Sequence, residues 1–281
     1  MGTVIGLGQA GCNIAKLFSQ YPQYEAFYID SEPRKEENFL KIAKQDSQEL
    51  YESKTRLKKA FFEKIKGPVM FVLGGSGNIS GISLRVLEKL KHLDIYVLYI
   101  KPDTQLLSET KRKQERLVFH ILQQYARSSL LKRMFIVSNP VVESILGDVP
   151  VIGYYDKLNN LIVPTIHMVN IYSNIKPEMS TFSEPVATAR ISTFGFSDVE
   201  TGEEKMFYEI NMPREKIFYY AINEEQLQSS SGLYKKITSG LKEKAESDDV
   251  KISYGIYSTQ YDQNYVYCVA HATLVQEENI S

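Results

Sequence analysis

The residues best placed to do chemistry lie in two glycine-rich turns. The chain opens on TVIGLGQAGCNIAKLF, in which GLGQAG (Gly6–Gly11) matches G-x-G-x-x-G in full. Asp30 closes the apolar run EAFYID further on. A short apolar run, a glycine turn, a helix and an acidic residue about twenty positions later form the layout of a dinucleotide site. The pyrophosphate would sit on the helix N-terminus and the acid would meet a ribose hydroxyl. That layout leaves a second turn unexplained. LGGSGNISGISLRVL places Gly74–Gly77 after another apolar run and before another helix. Glycines there let successive backbone N–H groups point into one concavity, and the helix start adds partial positive charge. One pyrophosphate needs one such turn. Two turns converging on one ligand suit a triphosphate, unless Gly74–Gly77 is a plain tight turn.

The elements that would position these turns can be read from the apolar pattern. TVIGLG reads as a buried strand and AGCNIAKLFSQ as the helix after it. EAFYID, PVMFVLGG, DIYVLYIKP and RMFIVSN read as further strands, with helices over SGISLRVLEKLKHL and QLLSETKRKQERLVFHILQQYARSS. Strands alternating with helices predict βαβ units and a parallel sheet covered on both faces. Residues 1–152 are therefore expected to form a doubly wound nucleotide-binding domain. Residues 153–175 predict a long central helix. Its Leu158, Leu161, Ile162, Ile166, Val169 and Ile171 leave little polar surface, so it should be buried. Pro164 inside it should kink it or shift its start. Residues 176–281 change texture. ARISTFGF, KIFYYAI, KISYGIYS and YVYCVAHATLV read as strands, LYKKITSGLKEKAES as a helix and YSTQYDQNY as a hairpin-like connection. The expected class is α/β: a doubly wound, mostly parallel sheet joined by a long central helix to a smaller α+β domain.

Bulk composition narrows the function classes. The 281 residues are 43% hydrophobic and 24% charged, with a formal net charge of −1. No global field draws the chain toward nucleic acid or a membrane surface. Cys12 and Cys268 stand far apart, without metal-ligand spacing, and fit a reduced cytosolic protein with two free thiols. Cys12 comes directly after the glycine turn; filling a tight spot is the expected role, with a redox role the lesser alternative. Four scattered histidines argue against zinc chemistry. No secretory segment precedes the first strand and no apolar run reaches about 18 residues, so a cytoplasmic location in a bacterial or phage-infected host cell is expected.

The two turns and the segments downstream of them resemble the tubulin/FtsZ superfamily of filament-forming GTPases, most of all its phage and plasmid tubulin-like members. GQAGCNI (Gly8, Gln9, Ala10, Gly11, Cys12 and onward) resembles the first phosphate loop. GGSGN (Gly74, Gly75, Ser76, Gly77, Asn78) resembles the glycine-rich signature loop, with Leu73 where the family has another glycine. IDSEP resembles the second loop, where Asp30 and Glu32 would approach magnesium-bound phosphates through water. YIKPDTQ, with Pro102, resembles the loop near the ribose, and Asn139 stands where the family places a base-contacting Asn. Tyr155 and Asn159 lie four apart on the central helix, one turn on a single face. The resemblance gives them guanine: a ring stacked on the base and an amide paired with its edge. YDKLNNLIVPTIHMVNIYSN resembles the central helix of phage tubulins, internal Pro included, so the likeness covers nearly the whole chain.

The same resemblance implies the chemistry. The loop after the central helix, KPEMSTFSEPV, would enter the nucleotide pocket of the next subunit. Its usual Asn-x-Asp start reads Met179–Ser180–Thr181 here, one carboxylate short, and Glu184 falls where the last acidic residue should be. Glu184 is the expected catalytic residue, orienting the attacking water, with Glu178 the fallback. KQDSQELYESKTR stands for the γ-phosphate-sensing loop and is poor in glycine, which predicts slow or altered hydrolysis. The expected ligands are GTP or GDP with Mg2+. The expected partner is a second copy of the chain, head-to-tail, with an adaptor or DNA-linked cargo beyond it and no direct nucleic-acid or membrane contact. QEENIS is a short tail without an evident partner-binding peptide. Two rivals stay open: a non-hydrolysing or filament-modulating homologue, and an NAD-dependent oxidoreductase on a Rossmann sheet.

Overall fold

The computed structural model describes residues 2–275. The chain divides into two compact units between Val163 and Pro164.

The first unit is built on β1 (Thr3–Leu7), α1 (Gly8–Phe18), β2 (Glu25–Asp30), β3 (Phe39–Lys41), α2 (Gln48–Lys54), α3 (Lys59–Phe62), β4 (Val69–Gly74), α4 (Ser83–Leu90), β5 (Ile95–Lys101), α5 (Glu109–Arg127), β6 (Arg133–Ser138) and α6 (Asn139–Leu146). Its strands run in the order β3-β2-β1-β4-β5-β6, and every pair is parallel. Helices on both faces explain why the strands read as unbroken apolar runs. Val69 to Leu73 are all 0% exposed. A 3₁₀ turn, Asn78–Ile82, precedes α4, so the helix starts later than its apolar pattern suggests. The α5 helix likewise starts at Glu109, where the Ser108 side chain accepts the Lys111 N–H at 3.4 Å and fixes the N-terminus.

Helix α7 (Tyr154–Tyr172) comes next and contains the division between the units. Leu158, Ile162, Val163 and Ile166 are at most 1% exposed. The helix continues through Pro164, whose ring nitrogen leaves the Asn160 carbonyl without its usual donor.

The second unit holds β7 (Met179–Ser180), β8 (Ile191–Ser197), β9 (Glu204–Met206), β10 (Glu215–Asn223), α8 (Glu224–Ser229), α9 (Leu233–Asp248), β11 (Lys251–Thr259) and β12 (Tyr265–Ala272). The strand order is β8-β12-β10-β11-β7, with β9 on β8. Ile237 and Leu241 of α9, one turn apart, pack on Phe218, Tyr220, Ile222, Tyr254 and Ile256. Each such buried side chain contributes about 1.5–3 kcal/mol. Alternate residues of the same strands bring Tyr219, Tyr257 and Tyr267 together with Tyr172, whose carbonyl accepts the Tyr257 hydroxyl at 2.6 Å.

One connection differs from the sequence expectation. YSTQYDQNY is not a hairpin, because β11 and β12 do not pair; β10 lies between them, parallel to β11 and antiparallel to β12. The loop instead crosses the end of β10. The Asn264 side-chain carbonyl accepts the Asn223 N–H at 2.9 Å, and the Asn223 side chain donates to the Tyr261 carbonyl at 2.9 Å. These two bonds hold the crossing without a tight turn. The tail QEENIS lies outside the described residues.

Candidate functional site

Parallel strands end on a common edge, and five of them deliver the candidate residues there. Asp30 closes β2, Gly8 comes after β1, Gly74 closes β4, Pro102 comes after β5 and Asn139 after β6. The strand order reverses between β1 and β4, the position where open α/β sheets bind ligands.

The two glycine turns interlock at that point. Gly8 has φ +66°, the left-handed region, and a Cβ there would lie 2.6 Å from Ile79 Cγ2 in the 3₁₀ turn that follows the second glycine turn, while a Cβ on Gly74 would lie 3.7 Å from Ala10 Cβ. Gln9 and Ala10 are exposed in the first turn of α1, where no side chain caps the helix. The first N–H groups of α1 are thus free of side-chain caps, as anion binding requires. Gly11 and Cys12 are buried. The Cys12 thiol donates to the Gly6 and Ile29 carbonyls at 3.3 and 3.6 Å, and burial pushes its pKa up to about 12. Cys12 is a packing residue and offers a ligand only its backbone.

The second turn is anchored from behind. Ser80 Oγ donates to the Gly77 and Gly75 carbonyls at 2.7 and 3.3 Å, and Gln48 of α2 donates to the Gly77 carbonyl and Ser80 Oγ at 3.3 and 2.8 Å. Gly75 admits no side chain: a Cβ there would lie 1.7 Å from the Tyr99 hydroxyl. That hydroxyl donates to the buried Glu115 carboxylate at 2.7 Å, which also pairs with Lys101 at 3.3 Å. Ser76 is half-buried and Gly77 exposed. Leu73, where the resemblance leads one to expect another glycine, is a buried strand residue in register with Leu7 and Tyr99, so the turn proper does not contain it. The Asn78 side chain donates to the Asp46 carbonyl at 2.7 Å, tying the turn to the approach to α2.

The second loop is organised around a cation. Asp30 Oδ2 accepts Arg34 Nε at 3.1 Å and Asp30 Oδ1 accepts the Ser31 N–H at 2.8 Å. Arg34 Nη2 also reaches Asn13 Oδ1 at 3.2 Å. Glu32, fully exposed, pairs with Lys44 at 2.8 Å, which lowers its pKa through that hydrogen bond and charge. Asp30 is therefore occupied, and a ribose hydroxyl would have to displace Arg34. The donor set also does not fit direct magnesium ligation: both carboxylates hold side-chain cations. No group of three His, Cys, Asp or Glu suited to a metal exists among the described residues. Gln9, Asn13, Asp30 and Arg34 line a cleft of about 390 Å³.

At the other side of the edge, Asn139 is half-buried at the start of α6. Glu143, one turn on, accepts the Tyr154 hydroxyl at 2.6 Å. Burial first, then Glu143, pushes the pKa of that hydroxyl up to about 12, with the Asp103 charge adding to it. The Tyr154 ring meets Tyr155 edge-on at 5.1 Å. Tyr155 is 63% exposed, whereas Asn159 is 7% exposed. Tyr155 thus has a free ring face, and Asn159 is a buried amide rather than a surface one.

Glu184 and Glu178 lie in the second unit, on the segment between α7 and β8, Glu184 exposed there. Arg34 and Glu143 were not singled out from the sequence. Asn139 and Glu143 have the same four-residue spacing as Tyr155 and Asn159, which could have flagged Glu143. Arg34 sits in an irregular loop where no spacing rule applies.

No protein-family model matches the sequence, and no curated relative does. Solved structures match the fold. The GTPγS-form protofilament of Bacillus thuringiensis serovar israelensis TubZ is 14% identical, with TM-score 0.68 over 98% of this chain and 87% of that one. The TubZ of type III plasmid segregation is 15% identical, with TM-score 0.68 over 98% and 88%. The empty FtsZ dimer of M. jannaschii is 10% identical, with TM-score 0.67 over 96% and 87%. The strand order of the first unit, 3-2-1-4-5-6, is shared with dinucleotide-binding sheets; the FtsZ and TubZ structures match along 96–98% of the chain, second unit included. The chain has the fold of the tubulin/FtsZ superfamily.

Proposed function

We propose that the chain binds GTP over its two glycine turns, stacks head-to-tail with copies of itself into a filament, and hydrolyses the nucleotide where Glu184 of one copy meets the pocket of the next. One observation carries this reading: two interlocked glycine turns reach the open N-terminus of α1 at the switch point of the sheet. Backbone N–H groups of Gln9, Ala10 and the Gly74–Gly77 turn take the phosphate oxygens. Tyr155 stacks on guanine, Asn159 and Asn139 read its edge, and Pro102 borders the ribose. Glu184 orients the attacking water, a placement role suited to phosphoryl transfer. Head-to-tail contact is heterologous, so it propagates rather than closes. Asp30 and Glu32 already hold Arg34 and Lys44, so they would reach a phosphate-bound magnesium ion only through water. The TubZ likeness extends the reading to filaments that position or segregate DNA through an adaptor, in keeping with a net charge of −1.

Light scattering, phosphate release and electron microscopy with GTP, GDP and no nucleotide test it. GTP should give filaments and phosphate. Glu184→Ala should bind GTP and form persistent filaments with release lost. Assembly of the unaltered chain without any release would leave a non-hydrolysing filament protein. Thermal stabilisation by NADH and none by GTP would return the oxidoreductase reading.

A further inference from the structure

The segment that carries Glu184 is fixed to the second unit by its backbone, at two places. In the first, β7 adds to the edge of β11: Met179 and Ser180 pair antiparallel with Ile256 and Gly255. The Glu178 N–H donates to the Ile256 carbonyl at 2.8 Å and the Thr181 N–H to the Tyr254 carbonyl at 2.9 Å. Phe182 then lies directly over Gly255 and 5.7 Å from the Tyr219 ring.

The second place is an ion pair between a buried carboxylate and a half-buried lysine. Glu215 opens β10 and Lys251 opens β11, and the two are register partners in a parallel pair. Glu215 is 0% exposed. Its Oε1 accepts Lys251 Nζ at 2.9 Å, and its Oε2 accepts the Val186 N–H at 3.1 Å. Lys251 Nζ also donates to the Glu184 carbonyl at 2.9 Å. The pair therefore grips the main chain at Glu184 and again two residues later. Among the described residues the Glu184 side chain itself has no hydrogen-bond or ion-pair partner, and it is exposed.

Such a pair is a poor source of net stability: desolvation of the buried carboxylate offsets much of the attraction, and the 36% exposed lysine side chain is screened by water. Apart from the Ser253 hydroxyl, which donates to Glu215 Oε1 at 3.5 Å, the other side-chain hydrogen bonds of this pair go to one exposed segment. We propose that Glu215 and Lys251 are positioning residues for hydrolysis: they clamp the backbone on either side of Glu184 and so fix where its carboxylate is presented to a neighbouring copy. The inference rests on the reading of Glu184 given above. It goes beyond that reading by naming the groups, distant in sequence, that set the geometry.

The test compares Lys251→Met, Lys251→Arg, Glu215→Gln and Glu184→Ala in the full chain. Lys251→Met keeps the aliphatic stem and removes the donor to Glu184. It should lower kcat for GTP by roughly tenfold or more, since small misplacements of a catalytic group are costly. GTP affinity should stay within about twofold, because the nucleotide residues belong to the first unit. Glu215→Gln should do the same more weakly, and Lys251→Arg, which can reach both acceptors, should restore most of the rate. Hydrogen exchange at the Val186 amide should speed in Glu215→Gln and Lys251→Met, a readout independent of hydrolysis. Wild-type kcat in Lys251→Met, with Glu184→Ala inactive, overturns the clamp and leaves the role of Glu184 standing. Wild-type kcat in Glu184→Ala overturns the reading beneath it. An unprotected Val186 amide in the unaltered chain overturns the clamp on its own.

Discussion

Gly75→Ala is the substitution whose cost the structure specifies most closely. The added methyl would fall 1.7 Å from the Tyr99 hydroxyl and 2.9 Å from Glu115 Cγ. Tyr99 is 0% and Glu115 1% exposed, so neither can swing into solvent. Relieving the clash means moving the hydroxyl and breaking its 2.7 Å bond to the carboxylate. A hydrogen bond to a charged group contributes about 1.5–3 kcal/mol, and overpacking adds about 1–3 kcal/mol. Gly75→Ala should therefore destabilise the first unit by about 2.5–6 kcal/mol. Tyr99→Phe removes the nearest obstructing atom and the hydrogen bond at a cost of about 1.5–3 kcal/mol, leaving Glu115 with Lys101. On that background the ring carbon that carried the hydroxyl, at 2.6 Å, and Glu115 Cγ, at 2.9 Å, still crowd the methyl. Gly75→Ala should then cost only the overpacking share of about 1–3 kcal/mol, a coupling of about 1.5–3 kcal/mol from the hydrogen bond already lost. Urea unfolding, monitored by hydrogen exchange at amides of β4 and β5, reads the first unit separately from the second. Additive costs in the two single variants and the double variant would refute the argument that the tyrosine hydroxyl dictates glycine here.

The same geometry sets three further expectations. Tyr155→Ala should weaken binding of a fluorescent guanine nucleotide by about 1–3 kcal/mol through lost stacking, while leaving the melting temperature nearly unchanged, since the side chain is 63% exposed. Arg34→Ala should lower the urea midpoint by an amount worth about 1–3 kcal/mol, because Asp30 keeps only backbone donors; Arg34→Lys should recover little, lacking the fork that spans Asp30 and Asn13. Cys12 should resist iodoacetamide in the folded chain at pH 8 and react once unfolded. Its thiol pKa is raised from an ordinary 9.0 to about 12 by burial, so its contribution to stability is intact below pH 9 and falls with rising pH between those values; alkaline denaturation of Cys12→Ala against the unaltered chain measures it.

The parallel sheet was legible because strands buried on both faces leave continuous apolar runs, as in VMFVL and YVLYI. The two turns were legible because glycine is demanded where φ is positive, as at Gly8, or where a neighbour fills the β-carbon position, as at Gly75. What escaped were interactions without a local period. The hairpin reading of YSTQYDQNY failed because adjacency in sequence favours pairing, whereas β10 inserts between the two strands through long-range contacts. The cations that hold Asp30 and Glu32, Arg34 and Lys44, arrive from irregular chain, where no spacing marks them. The Glu215–Lys251 pair joins the starts of two strands separated by α8 and α9, and nothing in either strand marks it.

An active site completed by a second copy is the central claim, and a mixing experiment addresses it most directly. Ala10→Glu places a carboxylate at the exposed N-terminus of α1, where it suits the helix dipole but repels a triphosphate. That variant keeps an intact Glu184 segment and lacks a usable pocket; Glu184→Ala has the converse defect. Each alone should release no phosphate from GTP, and an equimolar mixture should regain a substantial fraction of the unaltered rate. A mixture as inactive as its components, or Glu184→Ala hydrolysing at full rate by itself, would contradict a site shared between copies.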